Sequence, residues 1–230
     1  MAKLFSISTD KEDIQTSGGG GSSFISDSGI YPVTIKFASV EQSKNGAIQV
    51  NFNIDYNGNT QTIWGPYITS NDGKPNKIGR TQINNLGIIA GMTADDDIEV
   101  VEETFNVGKD NKPTEFNVIE QFTDLPVFIR VQKEYSSYNG KISRKLNPMA
   151  FYRASDTASA PEIVNGTEVG KHYETDLAKY STQIKYTDCT QEEAEAWEAE
   201  ERAKREAAKG DSKAAAPKTA AKPAGSLFKK

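Results

Sequence analysis

The sequence is poor in the residues that build covalent and metal-centred sites. It holds one cysteine and one histidine among 230 residues. A single cysteine cannot form a disulfide within the chain, and a zinc site would have to rely on carboxylates, which is unusual. We therefore expect no cofactor, no metal and no enzyme activity. Cys189 and His172 are expected to be an incidental pair rather than a reactive one.

Long apolar runs are also missing. No stretch approaches the roughly 20 consecutive apolar residues of a membrane helix. The first residues, MAKLFSIST, lack the apolar core of a signal peptide. These absences predict a cytoplasmic protein that does not contact a membrane.

Charge is present in quantity, but it is sorted along the chain. The net charge is -5, which by itself does not point to nucleic acid. Residues 126–153 hold six Lys/Arg and one Glu, and residues 209–230 hold six Lys and one Asp. Residues 92–125 hold ten Asp/Glu and two Lys, and residues 191–208 hold seven Glu and three Lys/Arg. Such sorting indicates segments with separate electrostatic roles.

Apolar alternation predicts a three-stranded meander near the start of the chain. The strands are expected over 29–42, 47–56 and 59–69, with Pro66 interrupting the third. In the first strand the alternation places Tyr31, Val33, Ile35 and Phe37 on one face. Asn57-Gly58 is a compact hairpin turn. A helix is expected over 79–91, because apolar residues recur there at helical spacing before a glycine stop.

The strongest local signal lies in residues 126–153. Asn139-Gly140 predicts a two-residue type I′ turn, since both residues tolerate positive φ. Centring a hairpin there pairs Tyr138 with Lys141, Ser136 with Ser143, and Glu134 with Lys145. An apolar face is then expected from Val127, Ile129, Val131, Ile142 and Leu146.

Basic and aromatic side chains alternate in and around this hairpin. Cations neutralise phosphates and rings stack on bases, so this mixture is typical of a surface that binds a single nucleic-acid strand. Trp64, beside Gly65-Pro66, is the aromatic most expected to be exposed. The candidate nucleic-acid-binding residues are Trp64, Tyr67, Arg130, Lys133, Tyr135, Tyr138, Lys141, Arg144, Lys145 and Tyr152.

The predicted organisation is one β domain with tails. Residues 1–28 are expected to be a flexible segment, and residues 29–189 a domain that carries a solvated acidic insertion at 92–125. Residues 154–161 read as a low-complexity spacer, and residues 162–189 as an unassigned cap. Thr190 and Glu193 form a capping box for a charged helix over 190–208. Residues 209–230, rich in Ala, Lys and Pro, are expected to be disordered.

The order strand, strand, strand, helix, long hairpin is that of an OB-fold, a five-stranded Greek-key barrel. The run Gly29 to Ile35, the turn Ser43 to Gly46, a helix ending at Ala90-Gly91, and Tyr138 to Lys141 followed by Asn147 resemble phage-encoded single-stranded DNA-binding proteins of this fold. The resemblance implies sequence-nonspecific binding of single-stranded DNA, with RNA left open, in phage replication, recombination or repair. It also implies replication or recombination proteins as partners, here through the C-terminal helix and tail.

Two other classes of function stay open at this point. The chain as a whole is acidic, which fits a β-barrel interaction protein that mimics DNA and blocks a host enzyme. A metal-dependent nuclease would rest only on the carboxylates of the insertion, Asp95, Asp96, Asp97, Glu99, Glu102 and Glu103. Their spacing lacks the alternating ligands and central glycine of a calcium loop, so we favour a solvated acidic face.

Overall fold

The fold is mainly β, as predicted. In a computed structural model of the chain, which describes residues 24–108 and 110–214, strands account for 43% and helices for 27%. The strands are β1 Gly29–Gln42, β2 Ile48–Tyr56, β3 Asn59–Ile63, β4 Tyr67–Thr69, β5 Val100–Val107, β6 Lys112–Ile119, β7 Leu125–Tyr138, β8 Lys141–Arg153 and β9 Lys185–Thr187. The helices are α1 Lys77–Ile89, α2 Ala160–Asn165, α3 Lys171–Tyr180 and α4 Gln191–Ala214, with a 3-10 turn at Glu120–Phe122. Among these helices, none has the length and apolar content needed to cross a bilayer.

The chain divides into two compact units. The first unit comprises residues up to 134 together with 144–185. The second comprises residues 135–143 together with 186 onwards. β7 and β8 contribute to both units, because the boundaries fall within these two strands.

The first unit is built on a curled antiparallel half-barrel sheet, with β1 at its centre. One edge of β1 pairs with β2, from Thr34 opposite Asp55 to Gln42 opposite Ile48. The other edge pairs first with β7, over Gly29–Ile35, and then with β6 at Ser39. The concave face buries Val, Ile and Leu side chains from these strands and from α1. β1 spans the residues that its alternation of apolar and polar side chains predicted.

A β-bulge in β1 corrects the prediction that Tyr31, Val33, Ile35 and Phe37 share one face. Ile35 lies opposite Ile54 and Phe37 lies opposite Asn53, so Lys36 is an extra residue without a partner in β2. An extra residue reverses the alternation beyond it. Val33 and Ile35 therefore join the core, and so does Ala38, while Phe37 is buried on the other face.

The predicted turns and meander are otherwise present. Asn57 and Gly58 have φ of 53° and 77°, and Asn139 and Gly140 have φ of 50° and 73°, as type I′ turns require. The third predicted strand is split at Trp64 to Pro66 into β3 and β4, in line with the expected interruption. α1 begins two residues earlier than predicted, because the side chain of Asn76 accepts hydrogen bonds from the backbone of Ile78 and Gly79.

The acidic insertion contains a regular hairpin rather than a weakly patterned segment. β5 and β6 pair from Val100 opposite Ile119 to Val107 opposite Lys112. Phe105 stacks on Phe37 of β1 with ring centroids 4.0 Å apart and an interplanar angle of 16°. Phe116 contacts the same ring at 4.9 Å. The hairpin therefore packs on the side chain that the bulge displaces from the core.

The presumed spacer before residue 162 is instead the start of a small helical layer. Ser159 and Glu162 form a capping box for α2, with Ser159 and Glu162 both buried. Gly166, with φ of 61°, ends α2, and Gly170, with φ of 86°, precedes α3. The Ser-x-x-Glu spacing was the local signal for this helix.

The second unit contains the hairpin turn, β9 and α4. Tyr135 stacks on Tyr186 at 5.7 Å and meets the edge of Trp197 at 6.3 Å. The predicted capping box is present: Thr190 Oγ accepts from the backbone of Glu193, and the Glu193 carboxylate accepts from the backbone of Thr190. α4 continues to Ala214, past the predicted end at 208. Residues 1–23, predicted to be flexible, and residues 215–230, predicted to be disordered, lie outside the described residues.

Candidate nucleic-acid interface

Trp64 is held rigidly on the surface of the first unit, in the turn between β3 and β4. Its side chain is 58% exposed. The turn is fixed to β2 by three hydrogen bonds. Val50 N donates to Pro66 O at 3.1 Å, Gln49 Nε2 donates to Gly65 O at 2.9 Å, and Gly65 N donates to Asn51 Oδ1 at 3.3 Å. The ring is therefore presented to solvent by a backbone that has little freedom to move.

Glycine is required beside this tryptophan. A Cβ at position 65 would lie 2.0 Å from the carbonyl oxygen of Val50 and 2.7 Å from the ring of Phe52. Any side chain would push the turn away from β2. The close approach of the two backbones thus depends on Gly65.

Two predicted cations lie in the same groove as Trp64. The groove, which we call the tryptophan groove, has a volume of about 390 Å³. It is bordered by β3, β8 and the segment before β1, and is lined by Phe24, Ile25, Ser26, Gln61, Thr62, Ile63, Trp64, Arg144, Lys145 and Leu146. Arg144 and Lys145 are both exposed. The groove thus combines an aromatic platform, two positive charges and an apolar wall.

Lys145 is oriented by a buried carboxylate. Its Nζ lies 3.3 Å from Oε2 of Glu134, as the predicted hairpin register requires. Glu134 also pairs with Lys185 at 3.0 Å and accepts a hydrogen bond of 2.6 Å from Asn147. Two cations and an amide therefore share one carboxylate, so the local charge of this cluster is positive.

The segment before β1 closes one side of the tryptophan groove. Ile25 is buried, and its backbone is bound at both ends by one side chain: Ile25 N donates to Gln61 Oε1 at 2.9 Å, and Gln61 Nε2 donates to Ile25 O at 2.8 Å. This fixes the neighbouring Phe24, which is exposed. Phe24 was missed at the sequence level, because it follows a polar, glycine-rich stretch without strand or helix periodicity.

Three other predicted residues are exposed elsewhere. Tyr67 lies on β4, where the backbone carbonyl of Tyr67 meets Gly79 of α1. In the second unit, Tyr138 and Lys141 flank the hairpin turn, and Tyr138 is 80% exposed. Tyr67, in the first unit, is not among the residues that line the tryptophan groove.

Four further predicted residues make structural contacts within the described fold. Lys133 is buried, with its Nζ 3.1 Å from Asp27. Arg130 pairs with Asp176 at 2.9 Å and lies over the Tyr180 ring at 5.1 Å. Tyr135 is buried in the second unit among aromatic rings, and Tyr152 is buried in the first. All four side chains are largely shielded from solvent.

The polar group of Tyr152 is already hydrogen-bonded within the fold. Its hydroxyl donates to Asp176 at 2.5 Å. Burial, together with this hydrogen bond to a carboxylate, raises the pKa of Tyr152 far above its ordinary value. The phenol therefore stays neutral and serves packing and hydrogen bonding.

The helical layer contains a buried carboxylate that sequence reasoning did not single out. Glu162 accepts from the backbone of Ser159 at 2.8 Å, of His172 at 2.8 Å and of Gly170 at 3.3 Å, and from the Ser159 hydroxyl at 2.9 Å. Burial alone would raise the pKa of Glu162, but these hydrogen bonds outweigh burial and lower it to about 2. Ser159 also contacts Nδ1 of His172 at 2.7 Å. Because the serine hydroxyl is buried and bonded to the carboxylate, the trio joins α2 to α3 rather than forming a nucleophile.

The acidic residues before β5 lie in an open depression with Gln121. Asp96 accepts from the backbone and hydroxyl of Thr93, and the backbone hydrogen bond is the main cause of its lowered pKa. Within residues 24–108 and 110–214, no three His, Cys, Asp or Glu side chains are grouped to hold a metal ion.

Comparison of the sequence with known proteins gives no further evidence about this site. No family model matches the chain, and no curated protein matches it. The assignment of function therefore depends on the site itself.

Proposed function

We propose that this protein binds single-stranded DNA without sequence specificity, and that the tryptophan groove is its principal site. The observation that carries the proposal is the convergence of Trp64, Arg144 and Lys145 on one groove. A rigid exposed ring provides a stacking platform for any base, and the two cations lie beside it for the flanking phosphates. The chemistry needs no particular base, which accounts for the lack of specificity.

We further propose that the half-barrel is related to the OB-fold. The β1–β2–β3 meander, α1 and the long β7–β8 hairpin occur in the order of that fold. In the described part of the chain β8 pairs with β7 alone, so the barrel stays open between β3 and β8. The tryptophan groove lies at this opening. Such a protein would act in the cytoplasm of a phage host during replication, recombination or repair.

We also propose that the C-terminal helix, α4, binds partner proteins. Beyond Trp197 its described residues are largely exposed and charged, as in a helix that packs against a partner only when one arrives. Replication or recombination proteins are the expected partners. The lysines of residues 209–230 would add electrostatic attraction for DNA.

The direct test uses the intrinsic fluorescence of the two tryptophans in the chain. Trp197→Phe leaves Trp64 as the only reporter, and oligo(dT) should quench it on titration at low salt. Trp64→Phe should abolish that response. Trp64→Ala lacks this reporter, so its affinity is measured from the fluorescence anisotropy of labelled oligo(dT), a titration that serves for every variant. Binding should weaken about tenfold or more, because a stacked base contributes about 1–3 kcal/mol. Absence of binding by the well-folded wild type would refute the proposal.

The acidic hairpin favours one competing function, a DNA-mimicking interaction protein. β5 is an edge strand in the sheet order, with exposed Val100, Glu102 and neighbouring carboxylates. An interaction protein of this kind would bind a basic nucleic-acid enzyme and would not bind oligo(dT). The same titration therefore separates the two functions.

A further inference from the structure

A second cleft lies between two hairpin turns of the first unit. It has a volume of about 580 Å³. One wall is the β2–β3 turn, with Gly58, Asn59 and Thr60, and the other is the β5–β6 turn, with Asn106 to Gly108 and Asn111. Asn53 of β2 also lines it. We call this the amide cleft.

Among the residues that the structure describes, the side chains that line the amide cleft are uncharged. They include four asparagines and Gln61, together with threonines and Phe24. A carboxamide offers both donors and an acceptor, and so does the edge of a nucleobase. A phosphate, by contrast, is recognised best by cations. The lining therefore suits a base rather than the backbone of a strand.

Asn53 has an unused donor in the wall of this cleft. The residue is only 8% exposed. Its Oδ1 accepts from the Thr62 hydroxyl at 2.7 Å, while its Nδ2 donates to no atom among the described residues. This donor is therefore available for a hydrogen bond to a ligand in the cleft.

The amide cleft continues directly from the tryptophan groove. Phe24, Gln61 and Thr62 line both. A strand that leaves Trp64 therefore crosses β3 beside the exposed ring of Phe24 before it reaches the asparagines. The carboxylates of β5 lie towards the far end of the hairpin: Glu103 is four residues before Val107, or about 13 Å along the strand.

We infer that the amide cleft binds a nucleobase of the same strand that stacks on Trp64, through hydrogen bonds to the base edge. The inference rests on the proposed function and extends it. The binding path then has two chemically different ends. Cations and a stacking ring act at one end, and neutral amides act at the other.

The test removes amides from the exposed β5–β6 turn. Asn106→Ala and Asn111→Gly are combined, with glycine at 111 because that residue has φ of 49°. The matched control is Asn45→Ala, in the exposed β1–β2 turn outside both grooves. With oligo(dT) of about 12 nucleotides, long enough for both ends, the double variant should bind about tenfold more weakly. The control should bind as the wild type does.

Two readouts identify a base contact. The dependence of the affinity on salt concentration should be unchanged in the double variant, since no phosphate contact is lost. Oligo(dT) with abasic residues in the half that reaches the amide cleft should bind the wild type about tenfold more weakly, and should bind the double variant no more weakly than full oligo(dT) does. The comparison uses both strand polarities.

The possible outcomes distinguish failure of this inference from failure of the proposed function. If the wild type binds oligo(dT) and the double variant binds it equally well, the amide cleft carries no base and the inference is overturned. Failure of the wild type to bind any oligonucleotide refutes the proposed function and this inference together. Should circular dichroism show that the double variant is unfolded, Asn106→Ala alone, which leaves the turn backbone unchanged, gives the answer.

Discussion

β7 and β8 carry similar mixtures of basic and aromatic residues, but the two strands expose these side chains to different degrees. On β7, Arg130, Lys133 and Tyr135 are engaged by neighbouring side chains. On β8, Arg144 and Lys145 are exposed at a groove. β7 pairs with β1, β8 and β9, whereas β8 pairs with β7. Sheet position, rather than composition, therefore decides which of these side chains are buried and which are exposed.

We expect the largest loss of stability from Arg130→Ala. Arg130 and Asp176 are both largely shielded from solvent, and the loss of one partner leaves the other carboxylate without its counter-charge. We expect a loss of about 3 kcal/mol in the free energy of unfolding, measured by urea denaturation. Arg144→Ala, on the exposed strand, should change it by less than about 0.5 kcal/mol. Equal effects of the two variants would contradict the distinction between the strands.

Glu162→Gln tests a buried charge that backbone amides stabilise. The pKa of Glu162 is about 2 in the folded protein, below its value of about 4.3 in an unfolded chain. The ionised group therefore stabilises the fold above the unfolded pKa, and this stabilisation is lost as the pH falls through the folded pKa. At pH 7 the variant should be about 3 kcal/mol less stable, and at pH 3 the difference should shrink to less than half.

Urea unfolding of both proteins at several pH values measures this effect. The wild type should lose stability steeply between about pH 5 and pH 2, and Glu162→Gln should lose less over the same interval. Parallel curves for the two proteins would show that Glu162 is not the titrating group. His172→Ala is a useful companion, because the backbone amide of residue 172 still donates to the carboxylate.

Arg144→Ala and Lys145→Ala test whether these two exposed cations of β8 contact DNA. Each should weaken binding of oligo(dT) and reduce the salt slope of the logarithm of the affinity by about 1, because one phosphate contact is lost. The fold should survive, since Glu134 keeps Lys185 and Asn147 as partners when Lys145 is removed. Lys44→Ala, on the exposed β1–β2 turn, is the control and should leave the slope unchanged.

Tyr138→Ser should have the smallest effect of the series. The side chain is at the hairpin turn and almost fully exposed, so the free energy of unfolding should change by less than about 0.5 kcal/mol. Affinity for oligo(dT) should fall only about threefold, because an unsupported ring must be ordered before it stacks. A loss as large as that of Trp64→Ala, measured by the same titration, would move the principal site to the hairpin turn.

Local signals predicted much of this fold. The bounds of β1, the two Asn-Gly turns, the break at Pro66 and the cap at Thr190 each depend on residues adjacent in the chain. The bulge at Lys36 was not predictable in this way, because it is defined by the partner strand β2. Pairing of β5 with β6 was missed because their alternation is diluted by carboxylates.

The candidate site shows the same limit. Trp64 was expected to be exposed, and it is, since Gly65 and Pro66 mark an interruption that local sequence can reveal. Arg130 and Arg144 look equivalent in the sequence, and only the contacts of α3 with the sheet separate them. Phe24 and Asn53 became candidates through a cleft between turns that are distant in the chain.

The extra residue in β1 has a consequence for how many surfaces one sheet can offer. By reversing the parity of the strand, Lys36 leaves Phe37 on the outer side as an anchor for Phe105. Without that anchor the β5–β6 hairpin would keep its pairing with β1 at Ser39 but would lose its aromatic packing against the sheet. One inserted residue, which lines neither cleft, thus helps to position the turn that forms a wall of the second cleft.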